Sequence, residues 1–260
     1  KKGIVFGALE EHSIAWQAAR NIKEHGGNFV LTNTPIAFRL GTIYQLAEEC
    51  DAKVIPADAT SIDDLKNLFH KATEILGGKI DFILHSIGMS PNVRKQMSYG
   101  NLNYEWFLKT LDVSALSFHK ILQTAEQLDV MNEWGSIVAL SYIAAQRTFP
   151  DYSDMAEAKA MLESIARSYG YRFAKHKKVR VNTISQSPTL TTAGSGVPGF
   201  DKFYTYAQRM SPLGNATAED CANYIVLIFS DLSRMVTMQN LMYDGGFSSV
   251  GITEDIIEAL

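Results

Sequence analysis

Short apolar segments alternate with longer amphipathic segments along nearly the whole chain, and this alternation limits the possible folds more than any other feature. The predicted strands are Gly3–Gly7, Asn28–Thr32, Ala52–Pro56, Ile80–His85, Ser136–Leu140, Val179–Ile184 and a last one near 241–243. The predicted helices are Ser13–Glu24, Ile43–Cys50, Ser61–Leu76, Leu102–Leu128, Asp154–Ala174 and Ala218–Phe229. Because right-handed crossovers between such strands leave few topologies, we predict an α/β fold, a single-domain Rossmann-type doubly wound parallel sheet over residues 1–260.

Composition excludes several classes of partner. The chain has 260 residues, 46% of them hydrophobic, which is enough for a large core, and its net charge of −4 comes without any block rich in Lys or Arg. We therefore expect neither nucleic acid nor a membrane as its main partner. Cys50 and Cys221 lie far apart and show no metal-ligand or redox spacing, and there is no apolar run or signal-peptide pattern. A cytoplasmic protein without a metal site is expected.

Two tyrosines and a lysine follow the fifth predicted strand, where a parallel α/β sheet binds its ligands. Tyr142 comes directly after the strand, and Tyr152 lies seven positions before Lys159. If Tyr152 lies in or near the first helical turn, the side chains of Tyr152 and Lys159 point the same way. The ammonium would then stabilise the ionised phenol and strengthen its hydrogen bond to a developing oxyanion. A core tyrosine beside a solvated lysine is an equal alternative on this stretch alone.

The first strand-to-helix loop is a weak candidate for binding a nucleotide. It lacks the G-x-G-x-x-G pattern and keeps only Gly7. A close backbone approach and a helix N-terminus are still present, since Ser13 and the amides of Ser13 and Ile14 can face a phosphate. Glu10 and Glu11 would repel the phosphate, and we expect both to point outward.

The residues after the second and third strands leave the nucleotide type open. Asn33 and Thr34 offer neither the acid typical of NAD sites nor a base for the extra phosphate of NADP, and Arg39 is the nearest cation. Asp58 could accept a hydrogen bond from an adenine amino group, or it could cap the turn before Ser61.

The fourth strand ends in His85-Ser86-Ile87-Gly88. Gly88 permits the backbone to pass beside a nicotinamide ribose. A single histidine that ends a buried strand is more often a hydrogen-bonded structural residue than a base, so we favour a structural role for His85.

The segment from Gln186 to Pro212 is predicted to be irregular and long enough for a lid. Glycines and a proline are followed by a cluster of aromatic residues in this segment: Gly194, Gly196, Pro198 and Gly199, then Phe200, Phe203, Tyr204 and Tyr206. Hinges followed by aromatics indicate a lid over an apolar pocket, and a poorly ordered surface loop is the alternative.

Together these residues resemble those of the enoyl-acyl-carrier-protein reductases of bacterial type II fatty acid synthesis, a divergent branch of the short-chain dehydrogenase/reductases. The resemblance runs nearly end to end. It is carried by Gly7, Ser13-Ile14-Ala15, Asp58, His85-Ser86-Ile87-Gly88, Leu140-Ser141-Tyr142, Tyr152, Met155, Lys159, Val179-Arg180-Val181-Asn182, Ile184-Ser185 and Asp244-Gly245-Gly246-Phe247. Its most specific element is the Tyr-x6-Lys spacing, because ordinary short-chain carbonyl reductases carry Tyr-x3-Lys and this chain has Ala156 at that position.

The resemblance implies NADH-dependent reduction of the trans-2 double bond of an enoyl thioester, with hydride transfer to the β-carbon. Tyr152 would bind the thioester carbonyl, Lys159 the nicotinamide ribose, and Tyr142 would lie beside the substrate. The implied cofactor residues are Gly7, Ser13, Ile14, Thr34, Asp58, Ala59, Ile87, Lys159, Thr189 and Thr191. The implied substrate residues are Gly88, Met89, Ser90, Tyr142 and Met155, with a lid at about 187–212. Because the position of Thr34 lacks a basic residue, NADH is favoured and NADPH stays open.

The implied partners are an acyl carrier protein bearing the enoyl chain and three further copies of the chain in a homotetramer. The helices at Leu102–Leu128 and Ala158–Phe173 would supply the contacts between copies. Two positions depart from the family pattern. Ser187 replaces a usual glycine, and Lys202 is the only cation between Ser187 and Gln208, where several relatives carry more basic residues. The alternatives are a short-chain enzyme acting on another enoyl, dienoyl or carbonyl substrate, and a non-catalytic nucleotide-binding homologue.

Overall fold

Seven strands form one parallel sheet in the computed structural model, which describes residues 1–40, 42–150, 152–191 and 199–258. The strands are β1 (Lys2–Phe6), β2 (Asn28–Thr32), β3 (Lys53–Val54), β4 (Ile80–His85), β5 (Met131–Ser141), β6 (Arg180–Gln186) and β7 (Asn240–Tyr243). Their order across the sheet is β3-β2-β1-β4-β5-β6-β7, and each neighbouring pair is parallel. The predicted α/β doubly wound parallel sheet is confirmed.

Helices cover both faces of the sheet. They are α1 (Ile14–Glu24), α2 (Thr42–Glu49), α3 (Ile62–Ile75), α4 (Pro91–Arg94), α5 (Tyr104–Leu111), α6 (Ser117–Gln127), α7 (Met155–Lys177), α8 (Phe200–Met210), α9 (Ala218–Phe229) and α10 (Glu254–Glu258). Because successive strand residues point to opposite faces, Ile4 and Phe6 enter one core while Val5 enters the other. Two separate hydrophobic cores therefore hold the sheet between its helices.

The helices begin where the sequence offers a capping side chain. Ser13 precedes α1 and its hydroxyl accepts a hydrogen bond from the amide of Trp16 at 3.2 Å. Thr217 and Asp220 form a reciprocal capping box at the start of α9. These caps fix the entry of each helix and, for α1, set its N-terminus at the end of β1.

The predicted single helix Leu102–Leu128 is wrong in its middle, because it is two helices, α5 and α6. A π-helical turn, Asp112–Leu116, joins them. In this turn the Ser114 hydroxyl accepts from the amide of Met89 at 2.9 Å and lies 3.0 Å from the Met89 carbonyl, to which it can donate. The side chain thus ties the widened turn to the segment after β4, through a contact between residues 25 positions apart that the local sequence does not indicate.

The segment predicted to be irregular contains α8. Phe200, Phe203, Ala207 and Met210 recur at helical spacing, and Phe200, Ala207 and Met210 are buried. Gly194, Gly196 and Pro198, the predicted hinge residues, lie outside the described residues. Among the residues that the structure describes, no helix is long and apolar enough to cross a membrane.

Candidate active site

The sheet reverses its strand order between β1 and β4, which is the position where such sheets leave a crevice for ligands. Gly7 follows β1 with a φ of 91°, and a Cβ built on it would lie 1.9 Å from the carbonyl oxygen of Ser86. Only a glycine fits so close to the end of β4. Gly7 is therefore required for the close approach of the ends of β1 and β4 at this crevice, and its contact with a pyrophosphate stays a prediction.

The N-terminus of α1 faces the same crevice. The amide of Ser13 donates to the carbonyl of Glu10 at 2.9 Å, and its contact with a phosphate stays a prediction. The next amide, that of Ile14, belongs to the first helical turn, where amides lack intrahelical partners. Glu10 accepts from the amide of His12, and the side chain of Glu11 is 70% exposed. The helix end fits a phosphate through Ile14.

Asn33 and Asp58 brace the loops around the crevice. Asn33 donates to the carbonyl of Ala8 at 3.0 Å and accepts from the amide of Thr34 at 2.8 Å. Asp58 accepts from the amide and the hydroxyl of Thr60 at 2.8 and 2.7 Å. Burial raises the pKa of Asp58, but the hydrogen bonds from Thr60 and the charges of Lys109 and Lys120 together leave the pKa below its ordinary value. Asp58 thus has the turn role that the sequence left open, while an adenine contact stays a prediction.

Ala59 and Ile87 both belong to the edge of one hydrophobic core next to these loops. Ala59 is buried in the core next to Asp58, and Ile87 is partly buried against the same core. Their contact with a cofactor stays a prediction.

Lys159 lies beneath the backbone that follows β4. Its ammonium donates to the carbonyl of Leu140 at 2.7 Å, and a Cβ built on Gly88 would lie 3.7 Å from it. Burial lowers the pKa of Lys159 to about 8, and the charge of Glu163 opposes this shift. The ammonium is therefore mostly charged at neutral pH and close to the place where a nicotinamide ribose would pass.

Tyr152 stands before α7 rather than within its first turn. Ser153, which follows it, has a left-handed φ of 52°, so the chain turns between the tyrosine and the helix. The rings of Tyr152 and Tyr142 are nevertheless in contact, with centroids 5.2 Å apart. The two tyrosines expected near this strand-to-helix crossing are thus in contact, and Tyr152 lies just before the helix.

Both phenols are protonated donors at neutral pH. Burial raises the pKa of Tyr152 and of Tyr142 well above their ordinary values, and the neighbouring Tyr152 and the charge of Asp244 raise the pKa of Tyr142 further. Burial is the cause of the raised pKa of Tyr152, and the expected stabilisation of its ionised form by Lys159 is not seen. The Tyr142 hydroxyl is buried without a hydrogen-bond partner among the described residues. The pocket thus contains an unused donor of the kind that a carbonyl oxygen could satisfy.

His85 is enclosed in the core at the end of β4. Its Nε2 lies 2.9 Å from the Ser117 hydroxyl, which itself donates to the carbonyl of Val113 at 2.7 Å. Because that hydroxyl has one hydrogen, Nε2 must donate to it. Burial, helped by the charge of Lys159, lowers the pKa of His85 to about 3. A neutral, hydrogen-bonded histidine agrees with the structural role that the sequence favours.

A buried carboxylate joins the substrate-side segments. Asp154 is fully buried and accepts from Ser90 at 2.6 Å, Asn92 at 2.7 Å and Thr110 at 2.9 Å. Ser90 also caps α4. Asp154 thus connects the start of α7 to α4 and α5, and sequence reasoning missed it because its partners are 44 to 64 positions away.

Met89, through its backbone, and Met155, through its sulfur, both contact Ser114 beside this network. The Ser114 hydroxyl contacts the sulfur of Met155 at 3.6 Å, and a Cβ on Gly88 would lie 3.5 Å from its methyl group. The structure therefore brings Gly88, Met89, Ser90, Tyr142 and Met155 to one region, and their contact with substrate stays a prediction.

Aromatic rings cluster around Tyr142 and Phe149. Phe149 contacts Tyr142 with centroids 5.5 Å apart and Phe203 of α8 with centroids 5.1 Å apart. Phe247 contacts Phe149 and Tyr206 at 6.2 Å each. Phe149 and Phe247 were not identified as pocket residues from the sequence, although Phe247 closes the Asp244-Gly245-Gly246-Phe247 motif that carries the resemblance.

The end of β6 accepts Ser187 in place of a glycine. The Ser187 hydroxyl accepts from the amide of Ala216 at 3.0 Å, and its own amide donates to the carbonyl of Tyr243 at 3.1 Å. Thr189 is buried and accepts from Gln186 at 2.7 Å. Ser187 is thus built into the loop, whereas contacts of Thr189 and Thr191 with a cofactor stay predictions.

Comparison with known proteins gives one family. The profile of the family described as "Enoyl-(Acyl carrier protein) reductase" matches residues 7–248. The "Enoyl-[acyl-carrier-protein] reductase [NADH] 1" of Rhizobium meliloti (strain 1021) is 32% identical over 262 residues, covering 97% of this chain and 92% of its own.

Two solved structures are similar over the whole fold. The FabI–NADH complex from Alistipes finegoldii has a TM-score of 0.96 at 61% identity and covers 97% of this chain and 89% of its own. The enoyl-[acyl-carrier-protein] reductase (NADH) from Aquifex aeolicus VF5 has a TM-score of 0.89 at 30% identity and covers 97% and 98%. The fold described above is therefore shared with proteins of a single described activity.

Proposed function

The chain belongs to the enoyl-[acyl-carrier-protein] reductase family, and from that premise we propose how its residues carry out the reaction. The protein is an enoyl-[acyl-carrier-protein] reductase that uses NADH in fatty acid synthesis. The roles of individual residues follow from their surroundings.

NADH fits the crevice between β1 and β4. Gly7 and the amide of Ile14 would hold the pyrophosphate, and Lys159 would donate to the nicotinamide ribose. Bound NADH supplies the hydride that the β-carbon of the enoyl chain receives. Thr34 offers a neutral side chain at the edge of the crevice, where a basic residue would favour NADPH.

Tyr152 donates to the thioester carbonyl oxygen. A protonated phenol in a dry pocket stabilises the negative charge that develops on that oxygen, because a preorganised donor there needs no solvent rearrangement. The observation that carries this role is the contact of Tyr152 with Tyr142, whose buried hydroxyl lacks a partner among the described residues. Tyr142 supplies a second donor to the same oxygen, and the proton for the α-carbon comes from Tyr152 or through water.

The acyl chain lies between Met155 and the aromatic rings of α8. Phe203 in α8 contacts both Tyr142 and Phe149, so the segment at about 187–212 serves as the lid of a single domain spanning residues 1–260. Lys202, on the exposed side of α8, offers one positive charge to an acidic acyl carrier protein.

The chain assembles as a homotetramer. On α5, Tyr104 is 79% exposed and Leu108 is 67% exposed, which is unusual for side chains on neighbouring turns of a helix. A groove lined by His119, Tyr169 and Arg172 among others lies between α6 and α7, within the two stretches expected to contact other copies. Light scattering after size exclusion tests the assembly, and Leu108→Glu should shift the mass toward smaller species.

We place the enzyme in the cytoplasm, where the buried free thiols of Cys50 and Cys221 stay reduced.

The function is tested by comparing substrates and cofactors side by side. Purified protein should oxidise NADH with crotonyl-CoA, more slowly use NADPH, and leave β-ketoacyl thioesters unreduced. Preference for a ketoacyl or dienoyl thioester would instead indicate another short-chain enzyme, and NADH binding without turnover would indicate a non-catalytic homologue. Lys159→Ala should weaken NADH binding measured by fluorescence, and unchanged affinity would remove Lys159 from the ribose site.

A further inference from the structure

Glu163 is a buried acid on α7 that the proposed reaction does not use. Its side chain is 5% exposed, and its two oxygens accept from the Ser141 hydroxyl at 2.7 Å and from the Gln146 amide at 2.9 Å. Both donors are neutral, so these bonds satisfy the carboxylate without cancelling its charge. A charge kept in a protein interior costs free energy, which indicates that it interacts with another charged group nearby.

Glu163 shares one face of α7 with Lys159. The two residues are four positions apart, or about one helical turn. Lys159 donates to the carbonyl of Leu140, and Glu163 accepts from the adjacent Ser141. Two side chains one helical turn apart on α7 are thus hydrogen-bonded to two consecutive residues at the end of β5, directly before Tyr142.

We propose that Glu163 is a positioning residue of the active site, which clamps the end of β5 to α7 and keeps Lys159 charged in the cofactor crevice. The inference rests on the proposed function only in that Lys159 is taken to bind the nicotinamide ribose. The clamp also fixes Tyr142, because this tyrosine follows the gripped residues. Glu163 itself touches neither substrate nor cofactor.

The surroundings of Lys159 contain several ionisable groups, but one of them supplies the compensating charge. The others that face the cleft from neighbouring elements are His85 on β4, Tyr142 after β5, Tyr152 and Asp154 before α7, and Asp244 after β7. The histidine and the phenols are neutral at pH 7, and Asp154 is turned toward Ser90, Asn92 and Thr110. Among the described residues, Glu163 is the acid whose charge raises the pKa of Lys159 against the effect of burial.

The test is a titration of Lys159 in ligand-free protein. The ¹³C NMR signal of its ε-carbon, assigned by its loss in Lys159→Arg, should titrate near pH 8 in the wild type. In Glu163→Gln the midpoint should fall by about one pH unit or more, the size expected when a nearby opposite charge is removed. The glutamine can keep both hydrogen bonds if the exposed Gln146 amide flips. An unchanged midpoint would overturn the proposal.

Matched variants separate the charge from the clamp. Glu157→Gln removes the same charge from the same helix, but Glu157 bonds to the exposed Tyr99, so the Lys159 midpoint should stay in place. Gln146→Ala breaks half of the clamp and keeps the charge, so it too should leave the midpoint near 8. An equal fall in Gln146→Ala and Glu163→Gln would show that packing, not charge, is responsible.

A variant with the charge retained covers the case in which Glu163→Gln does not fold. Glu163→Asp moves the carboxylate one methylene away from Lys159, and its midpoint should lie below that of the wild type. A midpoint equal to the wild-type value would contradict the proposal.

Binding of NADH distinguishes this inference from the proposed function. The dissociation constant of NADH, followed by fluorescence from pH 6 to 9.5, should increase as the pH is raised. This increase should begin at a lower pH in Glu163→Gln than in the wild type, and the two affinities should be equal at pH 6. If the Lys159 midpoint falls but NADH binding does not follow it, Glu163 supports the lysine charge and the assigned ribose contact is wrong. If neither changes, the role of Glu163 is wrong.

Discussion

Gly7→Ala should damage both the stability of the protein and its binding of NADH, because the new methyl group has no space. The Cβ would lie 1.9 Å from the Ser86 carbonyl oxygen, so the two must separate by at least about 1.1 Å to reach the 3.0 Å below which real Cβ contacts essentially do not occur. The ends of β1 and β4 then have to move apart at the centre of the sheet.

A second glycine isolates the backbone part of this effect. Gly26 follows α1 with a φ of 76°, and a Cβ there would meet nothing within 4 Å. Gly26→Ala should therefore cost only the left-handed conformation, about 1–2 kcal/mol. Gly7→Ala adds the overlap with Ser86, about 1–3 kcal/mol more for forced packing. The expected difference between the two variants is thus about 1–3 kcal/mol.

Urea unfolding at one protein concentration, followed by tryptophan fluorescence, measures this difference. NADH titration gives the second measurement: affinity should fall at least tenfold in Gly7→Ala and stay constant in Gly26→Ala, since Gly26 lies at the opposite end of α1 from Ser13. Equal losses of stability in the two variants, or full NADH affinity in Gly7→Ala, would refute the argument that the crevice depends on a bare backbone at position 7.

Three further predictions concern the pocket itself. Tyr152→Phe should lower turnover of crotonyl-CoA about 100-fold or more, the typical effect of losing one oxyanion donor, with NADH affinity within about twofold; a small loss of rate would assign the donor role to Tyr142. Asp154→Ala should lower the free energy of unfolding by about 2–3 kcal/mol, because it leaves buried donors unpaired, whereas Asp63→Ala, whose side chain is 96% exposed, should have little effect in the same urea experiment. Lys159→Met should have a higher free energy of unfolding than the wild type at pH 7, and this difference should become smaller from pH 8 to 10.5. In that window the unfolded wild type binds more protons than the folded form, so the stability of the wild type rises with pH. A gap independent of pH would show that the lysine is not desolvated.

The strand pattern could be read from the sequence because local signals agree with the sheet. Apolar runs such as Asn28–Thr32 and Ile80–His85 match β2 and β4 residue for residue, and Ser13 caps α1 as its side chain predicts. The placement of Tyr142, Tyr152 and Lys159 could be predicted because the order of elements brings the end of β5 and the start of α7 to one edge of the sheet.

Features that depend on distant partners could not be read in this way. The π turn at Asp112–Leu116 is set by the contact of Ser114 with Met89, and nothing local marks it. Burial keeps the phenols of Tyr142 and Tyr152 protonated. The expectation of an ionised Tyr152, which considered only its proximity to Lys159, was therefore wrong. Asp154 and Glu163 look like ordinary helix acids in sequence, because their neutral partners come from other segments.

The hydrogen bonds of Asp154 give the two sides of the pocket different mechanical properties. On one side Ser90, Asn92 and Thr110 donate hydrogen bonds to the buried carboxylate of Asp154. This wall therefore cannot move outward without leaving that carboxylate buried and unpaired. On the other side Phe203 meets its neighbours through ring edges, which can slide past one another at little cost. We therefore expect a long acyl chain to enter and leave past α8, with amide hydrogen exchange fast there and slow in α4 and α5.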